Sequence, residues 1–208
     1  MISSVRIVGA GLIGTSIGLC LKAAGVNVEI ADIDSNTAKL AQDLVKSTPV
    51  SEPDLIIVAV PIGVNQSEVI KQLNANQSSI VCDLASVKSD LLLKVAELSA
   101  NAANFVSLHP MAGREMSGAQ SARADLFTGR AWIAIESDKS SKRAKEIAQE
   151  LIKMCGGSNY WMSSAEHDEV VAKISHIPQI LSTALAASLL DISEEKLNLS
   201  GQGLRDLT

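Results

Sequence analysis

The chain has 208 residues, of which 47% are hydrophobic and 2% aromatic, and its formal net charge is −5. This length suffices for one large or two small domains with an aliphatic core. The charge and the scarcity of aromatic side chains argue against a nucleic-acid partner, and the lack of a basic segment argues against an anionic membrane. The three cysteines are far apart, without metal-site spacing, so we expect free buried thiols and no bound metal.

The N-terminal segment has the pattern of a dinucleotide-binding βαβ unit. An apolar strand from Val5 leads into the turn 9–14, which reads GAGLIG, and a helix with apolar residues at helical spacing follows up to Gly25. A second strand over 26–31 ends at Asp32. Strand, glycine turn, helix, second strand and terminal acid together are far more specific than the glycines alone.

Each part of the glycine turn has a physical role in binding a dinucleotide. Gly9 permits the tight turn, Gly11 has no side chain to keep a diphosphate away from the backbone, and Gly14 lets the helix pack closely on the strand. The start of the helix, at Leu12 and Ile13, offers N–H groups and the positive end of its dipole to the phosphates. A glycine-rich turn that binds nothing is the alternative.

The acid at the end of the second strand bears on the choice of cofactor. A carboxylate at Asp32 would accept hydrogen bonds from both ribose hydroxyls of the adenosine half and would repel a 2′-phosphate. The next residue is Ile33 rather than a basic side chain. We therefore predict NAD rather than NADP as the cofactor.

Helices and strands continue to alternate after this unit. We predict a helix to about 45, a buried strand over 55–60, a helix over 64–73, a strand over 79–83, a helix over 87–98 and a strand over 105–108. A polar stretch over 111–129 separates these from a strand over 131–135, a helix over 141–154 and a short strand near 160. The alternation predicts an α/β, Rossmann-like, doubly wound parallel sheet.

The character of the sequence changes at Ser163. There a Ser-x-x-Glu capping box opens helical sequence to about 190, with a kink expected at Pro178 and a short further helix over 191–197. We therefore predict two domains, an NAD-binding domain over 1–162 and a short, incomplete all-helical domain over 163–208, which is too small to form a core alone.

The sequence does not predict a membrane-spanning segment or a signal peptide. The most apolar late segment, 177–190, is too short and too polar to span a bilayer. The N-terminus leads directly into the first strand, without a signal peptide. We therefore expect no membrane association and a cytoplasmic protein.

Candidate catalytic residues follow the carboxyl ends of the predicted strands, where open α/β sheets bind ligands. Pro61 follows one strand and is predicted to shape the wall beside the nicotinamide, and Val60, the last residue of that strand, is also predicted to contact the cofactor. Ser86 and Lys88 follow the next strand, and His109 follows the one after. An imidazole at this edge is suited to general-base chemistry near neutral pH, so His109 is predicted to be catalytic. A structural histidine at the rim is the alternative.

Other polar residues leave the choice between a structural and a functional role open. Ser86 is either the N-cap of the helix predicted from Val87 or a ligand contact. Lys88 is as readily interpreted as a solvated lysine in the first helical turn. His167 lies in a polar first turn and is expected at the surface, whereas His176 could reach a binding cleft.

Six segments resemble the prephenate/arogenate dehydrogenase family, and together they cover essentially the whole chain. They are 9–16, 83–88, 109–118, 125–132, 175–178 and 203–208. The block 109–113, His-Pro-Met-Ala-Gly, is specific to that family, unlike the glycine turn. The resemblance implies NAD-dependent oxidative decarboxylation of prephenate to 4-hydroxyphenylpyruvate, or of arogenate to tyrosine, in tyrosine biosynthesis.

The resemblance also implies roles for individual residues. His109 would polarise or deprotonate the ring hydroxyl, and Ser86 would form a hydrogen bond at the same place. Arg205 would pair with the carboxylate of the substrate side chain, for which its planar fork is suited. Glu115 would lie at the mouth of the pocket as an orienting carboxylate.

The chain departs from the family pattern at two residues near the substrate side chain. Gln179 follows Ser-His176-x-Pro where many prephenate-specific members carry a second histidine, and Arg114 stands where a small or neutral residue is common. We expect His176, Gln179 and Arg114 to contact the substrate. The choice between prephenate and arogenate stays open.

Family members continue past the segment that ends here at Thr208, into a helical region that forms the dimer. We therefore expect an incomplete helical domain, and a homodimer only where that domain is complete. NAD binding should survive this loss, whereas turnover could be weak. The alternatives to the dehydrogenase are an NAD-binding remnant without turnover and a reductase of the β-hydroxyacid or imine type.

Overall fold

The computed structural model describes residues 1–113 and 116–205. The chain divides into two compact units, Met1–His167 and Asp168–Thr208. The first unit contains the sheet and the helices that cover it. The second contains helices and their connections in its described part.

The sheet of the first unit is built from seven strands in the described residues. They are β1 (Ser4–Val8), β2 (Asn27–Ala31), β3 (Leu55–Val58), β4 (Ile80–Asp83), β5 (Phe105–Pro110), β6 (Ala131–Ile135) and β7 (Ser158–Met162), in the order β2-β1-β3-β4-β5-β6-β7. The first five strands pair in parallel. This confirms the predicted Rossmann-like fold, with one difference: β6 pairs antiparallel with β5, and β7 follows the direction of β6.

The helices occur between the strands and after the sheet. Those of the first unit are α1 (Leu12–Ala23), α2 (Ser35–Val45), α3 (Ile62–Ala75), α4 (Ser89–Leu98) and α5 (Lys142–Met154). Helix α6 (Ser164–Val171) begins in the first unit and ends in the second. It continues through a π-helical segment (Ala172–His176) into α7 (Ile177–Ser188). Two short helices follow, α8 (Glu194–Leu197) and α9 (Gln202–Arg205). The expected irregularity at Pro178 takes the form of the π-helical turn just before it, where the widened ladder accommodates a residue that lacks an N–H.

The core lies on both faces of the parallel strands. All four residues of β3 and of β4 are buried, as in parallel strands covered by helices on each side. Ile57 points to the face covered by α1, where it packs in a cluster with Ile17 and Leu21. Ile56 points to the opposite face and shares a cluster with Val69 of α3. Burial on both faces explains why β3 is a continuous apolar run rather than an alternating one.

The three cysteines are free thiols, as predicted. Cys82 and Cys155 are buried, and Cys20 is half-buried with its thiol donating to the carbonyl of Met154 at 3.2 Å. A hydrogen bond from the Cys155 thiol lowers the pKa of Cys20 to about 7, against the opposing effect of burial. Burial, followed by the charge of Asp83, raises the pKa of Cys82. Cys20 is therefore the most readily ionised of the three.

Two features of the topology lie at the carboxyl edge of the parallel strands, where open α/β sheets bind ligands. The strand order reverses at β1, which has β2 on one side and β3 on the other, and this switch point opens a crevice at the carboxyl ends of the strands. Because β6 is antiparallel to β5, the connection 111–130 starts and ends at that same edge. The N–H of Met111 donates to the carbonyl of Ala131 at 2.8 Å, which closes the base of this connection.

The late helical stretch is longer than the sequence suggested. Helical structure is continuous over 164–188, which is 25 residues, and its length and composition alone would allow it to cross a membrane. The prediction that 177–190 is too short and too polar to span a bilayer therefore does not extend to the continuous helical stretch 164–188. The apolar side chains exposed along it are Ile174, Ile177, Ile180 and Leu181.

Candidate active site

The glycine turn between β1 and α1 requires glycine at two of its positions. Gly9 has φ +105°, and a Cβ there would lie 2.3 Å from the carbonyl oxygen of Ala59. A Cβ on Gly14 would lie 2.1 Å from the carbonyl oxygen of Gly9. Gly11 differs, because a Cβ there would meet no protein atom within 4 Å. As predicted, the tight turn requires Gly9 and the close packing of the helix requires Gly14, and the missing side chain of Gly11 leaves open space beside the turn.

The open space at Gly11 lies at the start of α1. Gly11 is the N-cap residue, and the first hydrogen bond within the helix runs from the N–H of Thr15 to the carbonyl of Gly11 at 3.0 Å. The N–H groups of Leu12 and Ile13 therefore have no acceptor within the helix. The Thr15 hydroxyl donates to the carbonyl of Ala10 at 3.0 Å and stiffens the turn. Such a terminus suits a diphosphate.

Asp32 is held against the glycine turn by its own hydrogen bonds. Its carboxylate accepts from the N–H of Ala10 at 2.7 Å and from the N–H of Asp34 at 3.0 Å. Each carboxylate oxygen can accept a second hydrogen bond, so the group retains capacity for a ligand. The side chain of Ile33 beside it is fully exposed. The end of β2 thus offers a fixed acceptor and an apolar surface side by side.

A cleft of about 700 Å³ joins the ends of β1, β2 and β3 with helix α3. Its volume lies within the range of small-molecule sites. Its lining includes four residues that were predicted to bind the cofactor, namely Gly9, Asp32, Val60 and Pro61. Ile33 and Val64 add apolar surface to its lining.

Ser86 lies in the connection between β4 and α4, at the carboxyl edge of the sheet. Helix α4 begins at Ser89 rather than at Val87, so Ser86 is not its N-cap residue. The side chain of Ser86 is half-buried. Of the two interpretations of Ser86, the capping one is therefore wrong, and a ligand contact stays a prediction.

Lys88 is a buried residue and not a solvated one. Its ammonium lies 2.9 Å from a carboxylate oxygen of Asp83, and both side chains are fully buried. It also donates to the carbonyl of Leu108 at 2.7 Å. The same carboxylate accepts from the Ser107 hydroxyl and from the N–H of Ala85. This network ties the end of β4 to the end of β5 directly before His109.

His109 is half-buried near the end of β5 and contacts a second histidine. Its Nδ1 lies 2.9 Å from Nε2 of His167, and the two rings are inclined at 63°. His167 is fully buried, so the prediction that it lies at the surface was wrong. The neighbouring Glu166 and Glu169 are exposed and suggested a solvated turn, but His167 points from the opposite side of α6.

The remaining predicted substrate residues belong to the second unit or lie outside the described residues. His176 is half-buried at the end of the π-helical segment, and Gln179 is exposed one turn later. Arg205 is exposed at the end of α9. Arg114 and Glu115 lie outside the described residues.

A polar cleft of about 300 Å³ within the connection 111–130 was missed by the sequence analysis. It is lined by Gly113, Arg123, Asp125 and Arg130, among others. The Arg123 guanidinium donates to both oxygens of Asp125 at 2.8 Å, and its backbone N–H donates to the hydroxyl of Ser16 on α1 at 3.0 Å. This contact fixes the connection beside the glycine turn.

A glycine turn before α1, an acid at the end of β2 and a cleft at the switch point define a dinucleotide-binding domain of the Rossmann type. Comparison with known families agrees and is more specific. Residues 17–160 match the family model "Prephenate dehydrogenase, nucleotide-binding domain", and residues 163–208 match "Prephenate dehydrogenase, dimerization domain". The chain therefore belongs to the prephenate dehydrogenase family, which confirms the resemblance seen in its motifs.

Individual relatives support the same assignment. The chain is 32% identical to "Probable prephenate dehydrogenase NovF" of Streptomyces niveus over 198 residues, and 32% identical to a prephenate dehydrogenase of Lactococcus lactis over 221 residues. These matches cover 94% and 98% of the chain but only 55% and 60% of the relatives. The chain thus spans little more than half the length of these two proteins.

A solved structure agrees in fold over the full chain. Prephenate dehydrogenase from A. aeolicus, crystallised with hydroxyphenyl propionate and NAD+, superposes with a TM-score of 0.85 at 26% identity. The match covers 100% of this chain and 77% of that one.

Proposed function

We propose that this chain binds NAD and carries the catalytic residues for oxidative decarboxylation of prephenate or arogenate in tyrosine biosynthesis. The observation that carries the proposal is the position of His109. The histidine of the family-specific block lies, half-buried, at the carboxyl edge of the same sheet that holds the dinucleotide-binding turn. The A. aeolicus relative, which is bound to NAD+ and an aromatic acid, supports both ligands.

The residues around the switch point fit NAD. Gly11 leaves room for a diphosphate beside the N–H groups of Leu12 and Ile13. Asp32 would accept hydrogen bonds from the adenosine ribose, and its charge disfavours the 2′-phosphate of NADP. When bound, NAD supplies the acceptor for a hydride.

The apolar residues that line the cleft also fit NAD. Ile33 and Val64 would offer an apolar surface to the adenine, and Val60 and Pro61, which line the same cleft, would contact the cofactor. This division of polar and apolar groups is typical of small-molecule sites.

The chain's own residues have a limited chemical task in this reaction. The substrate ring loses a hydride and, as carbon dioxide, its carboxylate, and aromatisation drives the change. The product is a phenol, so a proton taken from the hydroxyl would have to be returned to the same oxygen. His109 would take the hydroxyl proton as a general base and return it to the oxygen of the aromatic product, a task to which an imidazole is suited near neutral pH. Ser86, at the adjacent strand end, would hold the same hydroxyl by a hydrogen bond. Positioning accounts for most of the protein's contribution.

Residues outside the sheet would bind the rest of the substrate. Arg205 would pair with the side-chain carboxylate as a planar, bidentate partner. His176 and Gln179 are three residues apart on one helical stretch, so they share a face that could contact the same ligand. Arg114 and Glu115 would contribute from the connection after His109. Gln179 and Arg114, where the chain departs from the family pattern, are the positions that would bear on the choice between a keto acid and an amino acid substrate.

We further propose a homodimer formed by the helical part. The family model over 163–208 is described as a dimerization domain. The apolar side chains exposed over 174–181 form a surface that a second copy would cover. This role explains the apolar composition of 164–188 without a bilayer. A boundary between domains at 162/163, directly before the second of the family matches over 17–160 and 163–208, and a cytoplasmic location complete the proposal.

The proposal is tested with purified protein, NAD, and prephenate or arogenate, by following the absorbance of the reduced cofactor. We expect turnover with one of the two substrates. His109→Asn should abolish turnover while NAD affinity stays unchanged, because the imidazole serves the chemistry and not the dinucleotide. NAD binding without turnover on either substrate would instead indicate an NAD-binding remnant. Turnover that persists in His109→Asn would refute the assigned role.

A further inference from the structure

The contact between His109 and His167 restricts where the protons of both rings can be. Two imidazole nitrogens 2.9 Å apart must have one hydrogen between them, so one ring donates and the other accepts. If both nitrogens carried hydrogens, they would repel, and if neither did, two lone pairs would face each other. The two rings are therefore coupled in their tautomers.

The direction of this hydrogen bond follows from the task of His109. Because Nδ1 faces His167, His109 must act on a substrate through Nε2. A neutral imidazole that accepts a proton at Nε2 carries its hydrogen on Nδ1. That hydrogen is then donated to Nε2 of His167. His167 must in turn carry its own hydrogen on Nδ1.

We propose that His167 is a positioning residue for the reaction, which holds His109 in the tautomer with its hydrogen on Nδ1 and thereby directs Nε2 to the substrate. This inference rests on the proposed function and adds to it a residue with no direct contact to the reacting atoms. The role is the one that an acceptor behind a catalytic histidine has in general: it fixes ring orientation and tautomer.

The structure holds His167 firmly enough for such a role. Its side chain is fully buried. Its N–H donates to the carbonyl of Ser163 at 2.9 Å, and the Ser163 hydroxyl caps the same turn by accepting from the N–H of Glu166 at 3.2 Å. Strand β7 ends just before, where the carbonyl of Met162 accepts from the N–H of Glu136 at 2.9 Å. The imidazole is thus placed by the sheet and by a capped helix.

The first test is NMR spectroscopy of the 208-residue chain with ¹⁵N-labelled histidine. The chain contains three histidines, so the two-bond imidazole spectrum is simple. His109→Asn and His176→Asn identify the signals by their loss. We expect both His109 and His167 of the unsubstituted chain to carry hydrogen on Nδ1 at a pH where both are neutral. Hydrogen on Nε2 of His109 would overturn the proposal.

The second test compares three substitutions. His167→Leu removes the acceptor, and we expect the His109 signals to shift toward the Nε2–H tautomer and kcat to fall about 10- to 100-fold, with KM and NAD affinity unchanged. His167→Gln keeps an amide oxygen as acceptor and should restore the tautomer and most of kcat. Glu166→Gln, an exposed change in the same turn, is the matched control and should behave like the unsubstituted chain.

The outcomes separate this proposal from the proposed function. An unchanged His109 tautomer in His167→Leu, or equal losses of kcat in the Leu and Gln variants, would refute the positioning role. If His167→Leu fails to fold, the spectra of the unsubstituted chain and of His167→Gln still decide the question. If no variant turns over prephenate or arogenate, the proposed function fails, whereas the tautomer measurement still stands.

Discussion

Replacing Gly11 by alanine should separate cofactor binding from folding. Gly11 has φ −72° and ψ −169°, an extended conformation that alanine adopts readily. A Cβ there meets no protein atom within 4 Å. The free energy of unfolding should therefore stay unchanged or rise by about 0.4–1 kcal/mol, because alanine restricts the unfolded chain. The methyl group instead occupies the space in which a diphosphate would approach the start of α1.

The expected loss of NAD affinity follows from the hydrogen bonds that the methyl group blocks. An N–H to phosphate hydrogen bond contributes about 1.5–3 kcal/mol, so losing one weakens binding about 10- to 150-fold. Calorimetric titration with NAD measures this loss, and thermal unfolding without NAD measures stability. NAD affinity equal to that of the unsubstituted chain would refute the assignment of the diphosphate to this turn.

Gly14→Ala is the matched contrast. Its Cβ would lie 2.1 Å from the carbonyl oxygen of Gly9, so α1 must move away from β1. We expect a loss of about 1–3 kcal/mol in the free energy of unfolding from this overpacking, in the absence of any ligand. If Gly14→Ala were as stable as Gly11→Ala, the close packing of helix on turn would not be essential.

Three further predictions concern other sites. Asp32→Ala should weaken NAD binding by about 1–3 kcal/mol in a titration. It should also reduce the ratio of the affinity for NAD to the affinity for NADP. Unchanged affinities for both cofactors would contradict the role of Asp32. Lys88→Met leaves Asp83 buried without its cation, so it should lower the free energy of unfolding by about 3–5 kcal/mol in a denaturant titration. Lys71→Met, at the exposed surface, is the control and should lower the free energy of unfolding by about 0–1 kcal/mol. Iodoacetamide at neutral pH should alkylate Cys20 first of the three cysteines, as mass spectrometry of digested protein would show, because its pKa is lowered to about 7.

The parts of the fold that depend on local rules could be predicted from the sequence. The turn 9–14 and the acid at Asp32 follow from steric and electrostatic requirements within one βαβ unit. The continuous apolar residues of β3 predicted a parallel strand that is covered by helices on both faces. The direction of β6 could not be predicted in this way, because it depends on the path of the connection 111–130 in space and not on the residues of the strand.

The candidate site shows the same limit at the level of side chains. Lys88 looked like a solvated first-turn lysine because its partners, the Asp83 carboxylate and the Leu108 carbonyl, come together only when β4 pairs with β5. His167 looked exposed because charged residues flank it, and its partner lies on β5. Sequence patterns reveal which residues carry chemistry, whereas the pairing of distant polar groups emerges only with tertiary structure.

The reversal between β5 and β6 has a consequence for how enzymes with this fold can change. A crossover between parallel strands must traverse the sheet, which constrains its length and stiffness. The connection 111–130 instead begins and ends at the same edge of the sheet, on two neighbouring strands, so it does not have to reach from one edge to the other. Residues can be altered or added there without disturbing the strand order. Changes in the length and sequence of this connection can thus accumulate while the order of strands β1–β5 stays constant.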